Sequence, residues 1–336
     1  QAAALLRAGR LVAFPTETVY GLGANALDPE AVACIFRAKG RPADNPLIVH
    51  IADPAEAGAL AGAPASARLL METFWPGPLT LVMRKKDTIP PIVTAGLPTV
   101  AIRMPAHPVA LSLIEAAGLP IAAPSANRSG RPSPTSAAHV AEDMQGRIPL
   151  ILDGGPCRVG IESTVLDVSE SPFTLLRPGD VTVDSLEDIL GEPVHIPEAV
   201  LAALEDGQTV RSPGLKHTHY APRAPLTVVA GSPWHIVSYI QGQIDTCEDP
   251  LTLGILASSE TAGQYDGARV IPLGSRHAPG EMAHALFAAL RQMDAWGVER
   301  ILAEGIAPRG EGLAFMNRLL RAAGFVTVDA DKEAGL

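Results

Sequence analysis

Lys39 and Arg41 stand two residues apart in AKGRPADNPL, followed by Pro42, Asn45 and Pro46 and then by the apolar run LIVHI. An ammonium and a guanidinium so close are complementary tools for phosphate, one a point charge and the other a planar fork. The two prolines restrict the residues before them and stiffen the loop, which lowers the entropy of holding both cations in place. Taken alone, the pair also fits a helix end, with Lys39 favouring the helix C-terminus and Arg41 solvated.

A second polar stretch, LPIAAPSANRSGRPSPT, ends a run of small residues in Pro124, Ser125, Ala126 and Asn127, then continues through Arg128, Arg131, Ser133 and Ser136. Short hydroxyl and amide groups suit phosphate oxygens or a ribose; an ordinary capped turn uses the same residues. Glu162, Ser163 and Thr164 open STVLDV, Arg177 closes FTLLR, and Thr99 and Arg103 open and close TVAIR. Arginines at strand ends are often rim charges. With Lys39 and Arg41, however, they make four basic positions that the pattern puts on one sheet edge of an acidic chain, which favours an anion pocket.

A third loop, PTETVYGLGAN (15 to 25), follows the strand LVAF, so Thr16, Glu17, Thr18 and Tyr20 emerge where α/β sheets gather their ligand loops. Gly21, Gly23 and Ala26 match GxGxxA, but the match starts six residues after the strand and the next helix begins only near Pro29; glycines permitting a tight turn is the simpler reading. There is no GxxxxGK[ST] loop, no HExxH and no Cys/His ligand set. His217 and His219 form an HxH without a third nearby ligand, and a loop packing on the first domain is expected there.

Those segments need a scaffold that alternates strands and helices. Short β-rich runs occur at 11 to 14, 47 to 51, 79 to 83, 99 to 103, 119 to 123, 149 to 152, 163 to 168 and 173 to 177, an α/β pattern. The clearest helix has Asp28 as N-cap and Pro29 at its first position, and stops at Gly40, which places Lys39 at a helix end. The segment 193 to 225 is proline-rich and reads as a linker. A second α/β unit over 226 to 336 has strands at LTVVA, LTLGILA, ARVIPLG and RILAEG around the helix EMAHALFAALRQMDAWG.

Composition fits this division. The 336 residues exceed the usual size of one core, and 47% hydrophobic against 18% charged residues suits a compact, soluble fold. A net charge of -10 argues against a chain that coats nucleic acid. Three dispersed cysteines, Cys34, Cys157 and Cys247, fit a reducing cytoplasm. The start QAAALLRAGRLVAF reads as a helix entering a strand, not a signal peptide, and residues are expected upstream of Gln1. No run is apolar enough to span a bilayer.

Together, PTETVYGLGAN, KGRPADNPLIVHI, TVAIRMP, APSANRSGRPSPT, GIESTVLDV, LLRPGD and SPGLKHTHYAP resemble the threonylcarbamoyl-AMP synthase family in its long, two-domain form, with no departure in the Lys-x-Arg or Ser-x-Asn elements. The resemblance implies a YrdC-like twisted mixed-sheet catalytic domain (1 to 192), a linker able to cover the active site (193 to 225) and a smaller Rossmann-like domain (226 to 336). It implies a cytoplasmic nucleotidyltransferase that forms threonylcarbamoyl-AMP and pyrophosphate from L-threonine, bicarbonate and ATP. Other proteins then transfer the threonylcarbamoyl group to a tRNA adenosine; direct tRNA binding stays open.

By the same resemblance, Arg41, Asn45, Thr99, Ser125, Asn127, Ser133 and Arg177 fall on ATP-binding positions, and Thr18, His50, Arg103, Ala123 and Ser163 on L-threonine-binding positions. Lys39 and Arg41 are the expected catalytic residues, Ser212 and Tyr220 the linker contacts. Mg²⁺ is expected to come bound mainly through ATP phosphates, with no protein side chain as ligand. Two alternatives stand beside this reading: a carbamoyl-phosphate-dependent carbamoyltransferase, because YrdC-like domains occur in hydrogenase maturation proteins, and a double-stranded RNA-binding module. The first would carry acylphosphatase and zinc-finger regions; the second is at odds with the acidic balance and 4% aromatic content.

Overall fold

The computed structural model describes residues 1–202 and 220–335. Two units divide it: the first comprises Gln1–Ser129 and Ser133–Val200, the second residues 220–335 with Gly130–Pro132.

The first unit is built on a nine-stranded mixed sheet. Its strands are β1 (Val12–Phe14), β2 (Gly21–Asn25), β3 (Ile48–His50), β4 (Ala61–Gly62), β5 (Leu79–Lys85), β6 (Thr99–Arg103), β7 (Ile121–Ala123), β8 (Thr164–Asp167) and β9 (Thr174–Arg177). They lie in the order β1-β2-β7-β3-β6-β5-β8-β9, with β4 paired to β5. The run at 149 to 152, expected as a strand, contributes only an isolated parallel bridge between Ile151 and Ala13.

PTETVYGLGAN is not wholly a loop. Gly21–Asn25 is β2, antiparallel to β1 through Phe14↔Gly21 and Val12↔Gly23. Its glycines therefore make neither a phosphate loop nor a turn; they clear space in a strand. A methyl at Gly23 would lie 2.7 Å from Ile121 Cγ2 and 2.9 Å from the Phe14 ring. Phe14 and Ile121 belong to a buried cluster with Leu6, Leu113 and Ile114, which seats the helices Ala2–Arg7 and Pro108–Ala117.

The helix Pro29–Lys39 forms as its ends dictate. Asp28 accepts hydrogen bonds from the N–H groups of Glu30 and Ala31, and Gly40 takes φ 65° so that its N–H and that of Arg41 close on Arg37 O and Phe36 O. Val32, Ile35, Phe36 and Lys39 form its buried side.

The second unit carries a five-stranded sheet of β10 (Leu226–Ala230), β11 (Leu253–Ala257), β12 (Arg269–Pro272), β13 (Arg300–Glu304) and β14 (Thr327–Asp329), in the order β12-β11-β13-β10-β14. Every pairing is parallel. The strand β14 has no signal in the sequence: TVD is three residues long and carries no alternation. Among the described residues no helix is long and apolar enough to cross a membrane.

Candidate functional site

Register decides which side chains can meet. Paired residues on neighbouring strands point to one face, as do residues two apart along a strand. Ile121 pairs with His50, and His50 with Arg103. The β5–β6 register, with Leu81 opposite Ile102, puts Thr80 opposite Arg103; Thr80 pairs with Val165 and Val165 with Arg177. One row across six strands thus carries Ile121, His50, Arg103, Thr80, Val165 and Arg177. Two residues along lies an apolar row of Ala123, Ile48, Ala101 and Val82. Thr99 stands beyond it on the same face, four steps or about 13 Å from Arg103.

The sequence-based expectation of four cations on one edge fails on this register. Arg103 and Arg177 do share an edge, because β6 and β9 run the same way. The strand β7 is antiparallel to β3, so Ser125 and Asn127, and the Lys39 ammonium bound to them, lie toward the opposite edge, where β3 begins.

At the Arg103 edge the groups are tightly linked. Arg103 is buried, donating from Nη1 to Thr18 Oγ1 at 2.9 Å and from Nε to Gly77 O at 3.1 Å. Its Nη2 lies 2.6 Å from Glu17 Oε1, an ion pair between two buried groups. Burial, the largest influence, works to raise the Glu17 carboxyl, but Arg103 together with backbone hydrogen bonds at Ala106 and Glu17 outweighs it, so the net shift is downward and Glu17 stays ionised. Thr16 Oγ1 lies 2.8 Å from Thr18 Oγ1 and accepts the Thr18 and Val19 N–H groups. Tyr20, in contrast, is committed to scaffold: its hydroxyl donates to Gly155 O at 2.8 Å.

His50 packs edge-on against Phe14, ring centroids 5.9 Å apart. Burial, reinforced by the Arg103 charge, pushes its imidazole down to about 3, so the ring is neutral near pH 7. Its Nδ1 is buried and makes no hydrogen bond among the described residues. Along the row, Arg177 donates from Nε to Ser163 O at 3.0 Å and from Nη2 to Ser163 Oγ at 3.1 Å, and that hydroxyl lies 2.8 Å from Thr80 Oγ1. Ser133 Oγ donates to Glu162 Oε1 at 2.5 Å.

At the opposite edge Lys39 is 4% exposed, with Nζ 2.5 Å from Ser125 O, 2.6 Å from Asn127 O and 3.4 Å from Asn127 Oδ1. Burial and the charge of Arg41 push its ammonium well below the usual value, against the pull of Asp143 and Glu162. Ser125 Oγ donates to Asn127 Oδ1 at 2.5 Å, and Asn127 Nδ2 to Arg128 O. Asn45 is fully buried and Arg41 half-buried, both in the loop leading into β3.

The structure thus sets His50, Arg103 and Arg177 on one row, with Thr18 and Ser163 hydrogen-bonded to its arginines, Ala123 on the next, and Lys39, Ser125 and Asn127 with Thr99 toward the far edge. Tyr220 packs within the second unit, its ring 5.0 Å from that of Phe287 and 5.9 Å from the Arg318 guanidinium. Ser212, His217 and His219 lie outside the described residues. Three residues that the sequence does not assign to a ligand join this network: Glu17, Thr80 and Glu162. The acidic residue of PTET and the Glu162 that precedes Ser163 were visible, but nothing in the sequence ties either to its partner.

Comparison with known proteins also divides the chain in two, with the boundary near residue 180, inside the first structural unit. Residues 4–179 match a family model described as telomere recombination, and residues 181–324 match the threonylcarbamoyl-AMP synthase C-terminal domain. The chain is 52% identical over 326 residues to a threonylcarbamoyl-AMP synthase of Pyrococcus abyssi, covering 96% of this chain and 93% of that one. It is equally identical to one of Bacillus subtilis, covering 96% and 92%. A crystal structure of P. abyssi Sua5 complexed with L-threonine superposes with a TM-score of 0.91 at 51% identity, covering 98% of this chain and 94% of that one.

Proposed function

The chain belongs to the threonylcarbamoyl-AMP synthase family, and from that premise we propose how its first unit makes threonylcarbamoyl-AMP and pyrophosphate from L-threonine, bicarbonate and ATP. The alternatives of a carbamoyl-phosphate-dependent transferase and an RNA-binding module give way to it, because relatives matched over 96% of the chain carry the synthase name.

The observation that carries the reading is the separation of two polar ends on one sheet face, with small and apolar side chains between them. The Arg103 end suits an amino acid. Arg103, fixed on three sides by Thr18, Gly77 and Glu17, offers a guanidinium to the threonine carboxylate. Thr18 and Ser163 supply hydroxyls, His50 a neutral ring with an unpartnered Nδ1, and Ala123 the room. The neutral ring adds a hydrogen bond without adding charge to a crowded anion site.

The far end suits a nucleotide. Arg41, Asn45, Thr99, Ser125 and Asn127 hold ATP there, with Ser133 and Arg177 toward the junction. The amine of threonine takes up bicarbonate with loss of water, giving an N-carboxylate. One carboxylate oxygen attacks the α-phosphorus, the bond to the bridging oxygen breaks, and pyrophosphate leaves with that electron pair. No covalent enzyme intermediate is needed. Catalysis rests on positioning anions and on fixed cations that stabilise the charge developing in transit.

Lys39 acts by holding the Ser125–Asn127 turn against the nucleotide. Magnesium arrives with the triphosphate, ligated by phosphate oxygens and water; among the described residues no three His, Cys, Asp or Glu side chains come together as a ligand set. The product keeps an activated acyl group, which other proteins pass to a tRNA adenosine.

The test is pyrophosphate release from ATP, with L-threonine and bicarbonate supplied separately and together. Release only with both supports the reading; release indifferent to threonine would overturn it.

A further inference from the structure

The helix Pro29–Lys39 has a second face. Cys34, Arg37 and Ala38, spaced i, i+3, i+4 away from the buried side, line an open groove of about 390 Å³ with Gly9, Arg10, Arg147 and Pro149. No carboxylate and no aromatic ring lines it. Arg37 Nη2 donates to Cys34 Sγ at 2.9 Å and Arg147 Nη1 to Ala38 O at 3.3 Å. Among the described residues the Arg10 side chain makes no hydrogen bond, and none of the three guanidiniums has an ion-pair partner. Asp28, which abuts Gly9, is engaged as the helix cap.

That grouping is out of character for a chain with 36 acidic residues against 26 basic ones. Three like charges around one depression repel each other, and a bound anion removes the cost. Three planar forks offer more donors than the two oxygens of a carboxylate can accept, whereas each phosphate group presents three terminal oxygens. The lack of aromatic rings leaves nothing for a nucleobase to stack on, and a net charge of -10 disfavours a long polyanion.

We infer that this groove is a second anion site, distinct from the reaction site, which binds a compact ligand of the phosphate class with two adjoining phosphate groups. Inorganic pyrophosphate is the simplest probe. The groove is one residue from the reaction site along the chain, since Ala38 lines it and the next residue, Lys39, points to the other side of the helix. The inference does not depend on which reaction the sheet face performs.

Calorimetric titration of the full chain with pyrophosphate tests it. Arg10→Glu, which breaks no internal bond, and Arg37→Glu should each weaken one binding event at least about tenfold, with the unfolding midpoint and threonine-dependent turnover unchanged. If both variants leave every pyrophosphate event as in the unaltered chain, the site does not exist. A parallel arm uses a short RNA duplex: binding that these variants abolish while pyrophosphate binding is untouched would reassign the groove to nucleic acid and overturn the small-anion inference.

Discussion

Glu17 and Arg103 meet as a buried ion pair, Oε1 to Nη2 2.6 Å, although four strands (β2 to β5) and four α-helices separate them in the chain. The pair joins the loop after β1 to the end of β6 and fixes the guanidinium beside Thr18. Removing one partner would leave the other charge buried and uncompensated, which costs about 3–5 kcal/mol.

Glu17→Gln should therefore loosen Arg103 rather than remove it. The expected outcome is a KM for L-threonine raised at least about tenfold with KM for ATP nearly unchanged, alongside lower stability. Equal rises in both KM values, or a stability loss with neither changed, would reduce Glu17 to scaffold.

Lys39→Ala leaves Ser125 O and Asn127 O without their donor, at about 1–3 kcal/mol for each buried acceptor. Turnover should fall at least about tenfold, as it should in Arg41→Ala on loss of a charged contact. Lys39→Ala should also weaken ATP binding, because the Ser125–Asn127 turn loses its anchor. Unaltered steady-state kinetics in both variants would return the Lys-x-Arg segment to an ordinary helix end.

The protonation of His50 gives a signed pH dependence. Its folded pKa is depressed to about 3 by burial and Arg103, below the unfolded value, so the unfolded chain binds the proton first as pH falls. The stability is fully present above about pH 6.5 and declines between there and pH 3, by up to about 1.4 kcal/mol per unit. Urea midpoints measured from pH 7 to pH 5 should show this slope, and His50→Gln should flatten it. An equal slope in the variant would assign the effect to other groups.

Gly23→Ala tests why β2 carries glycine. The added methyl would press on Ile121 and the Phe14 ring, and overpacking of this kind costs about 1–3 kcal/mol. Thermal unfolding should report the loss; a neutral substitution would show that the Phe14 cluster yields readily.

Much of the scaffold was legible in the sequence for local reasons. TVAIR is β6 to the residue, and Asp28, Pro29 and Gly40 bound their helix as caps do, because cap and strand chemistry acts over a few positions. The local pattern reads β2 as loop, because its glycines answer to the Phe14 ring, a contact no local pattern encodes. The run at 149 to 152 looked like a strand, but only Ile151 bridges to β1.

The sequence by itself determined which residues could serve an anion site: the Lys-x-Arg pair, the Ser-x-Asn turn and the arginines at strand ends. Only the tertiary structure decided how they divide. Antiparallel pairing of β7 with β3 sends Ser125, Asn127 and Lys39 to one edge, while parallel pairing of β3 with β6 sets His50 beside Arg103 at the other. Strand direction is fixed by which strands pair across the whole sheet, a global choice, and residue type and spacing carry no record of it.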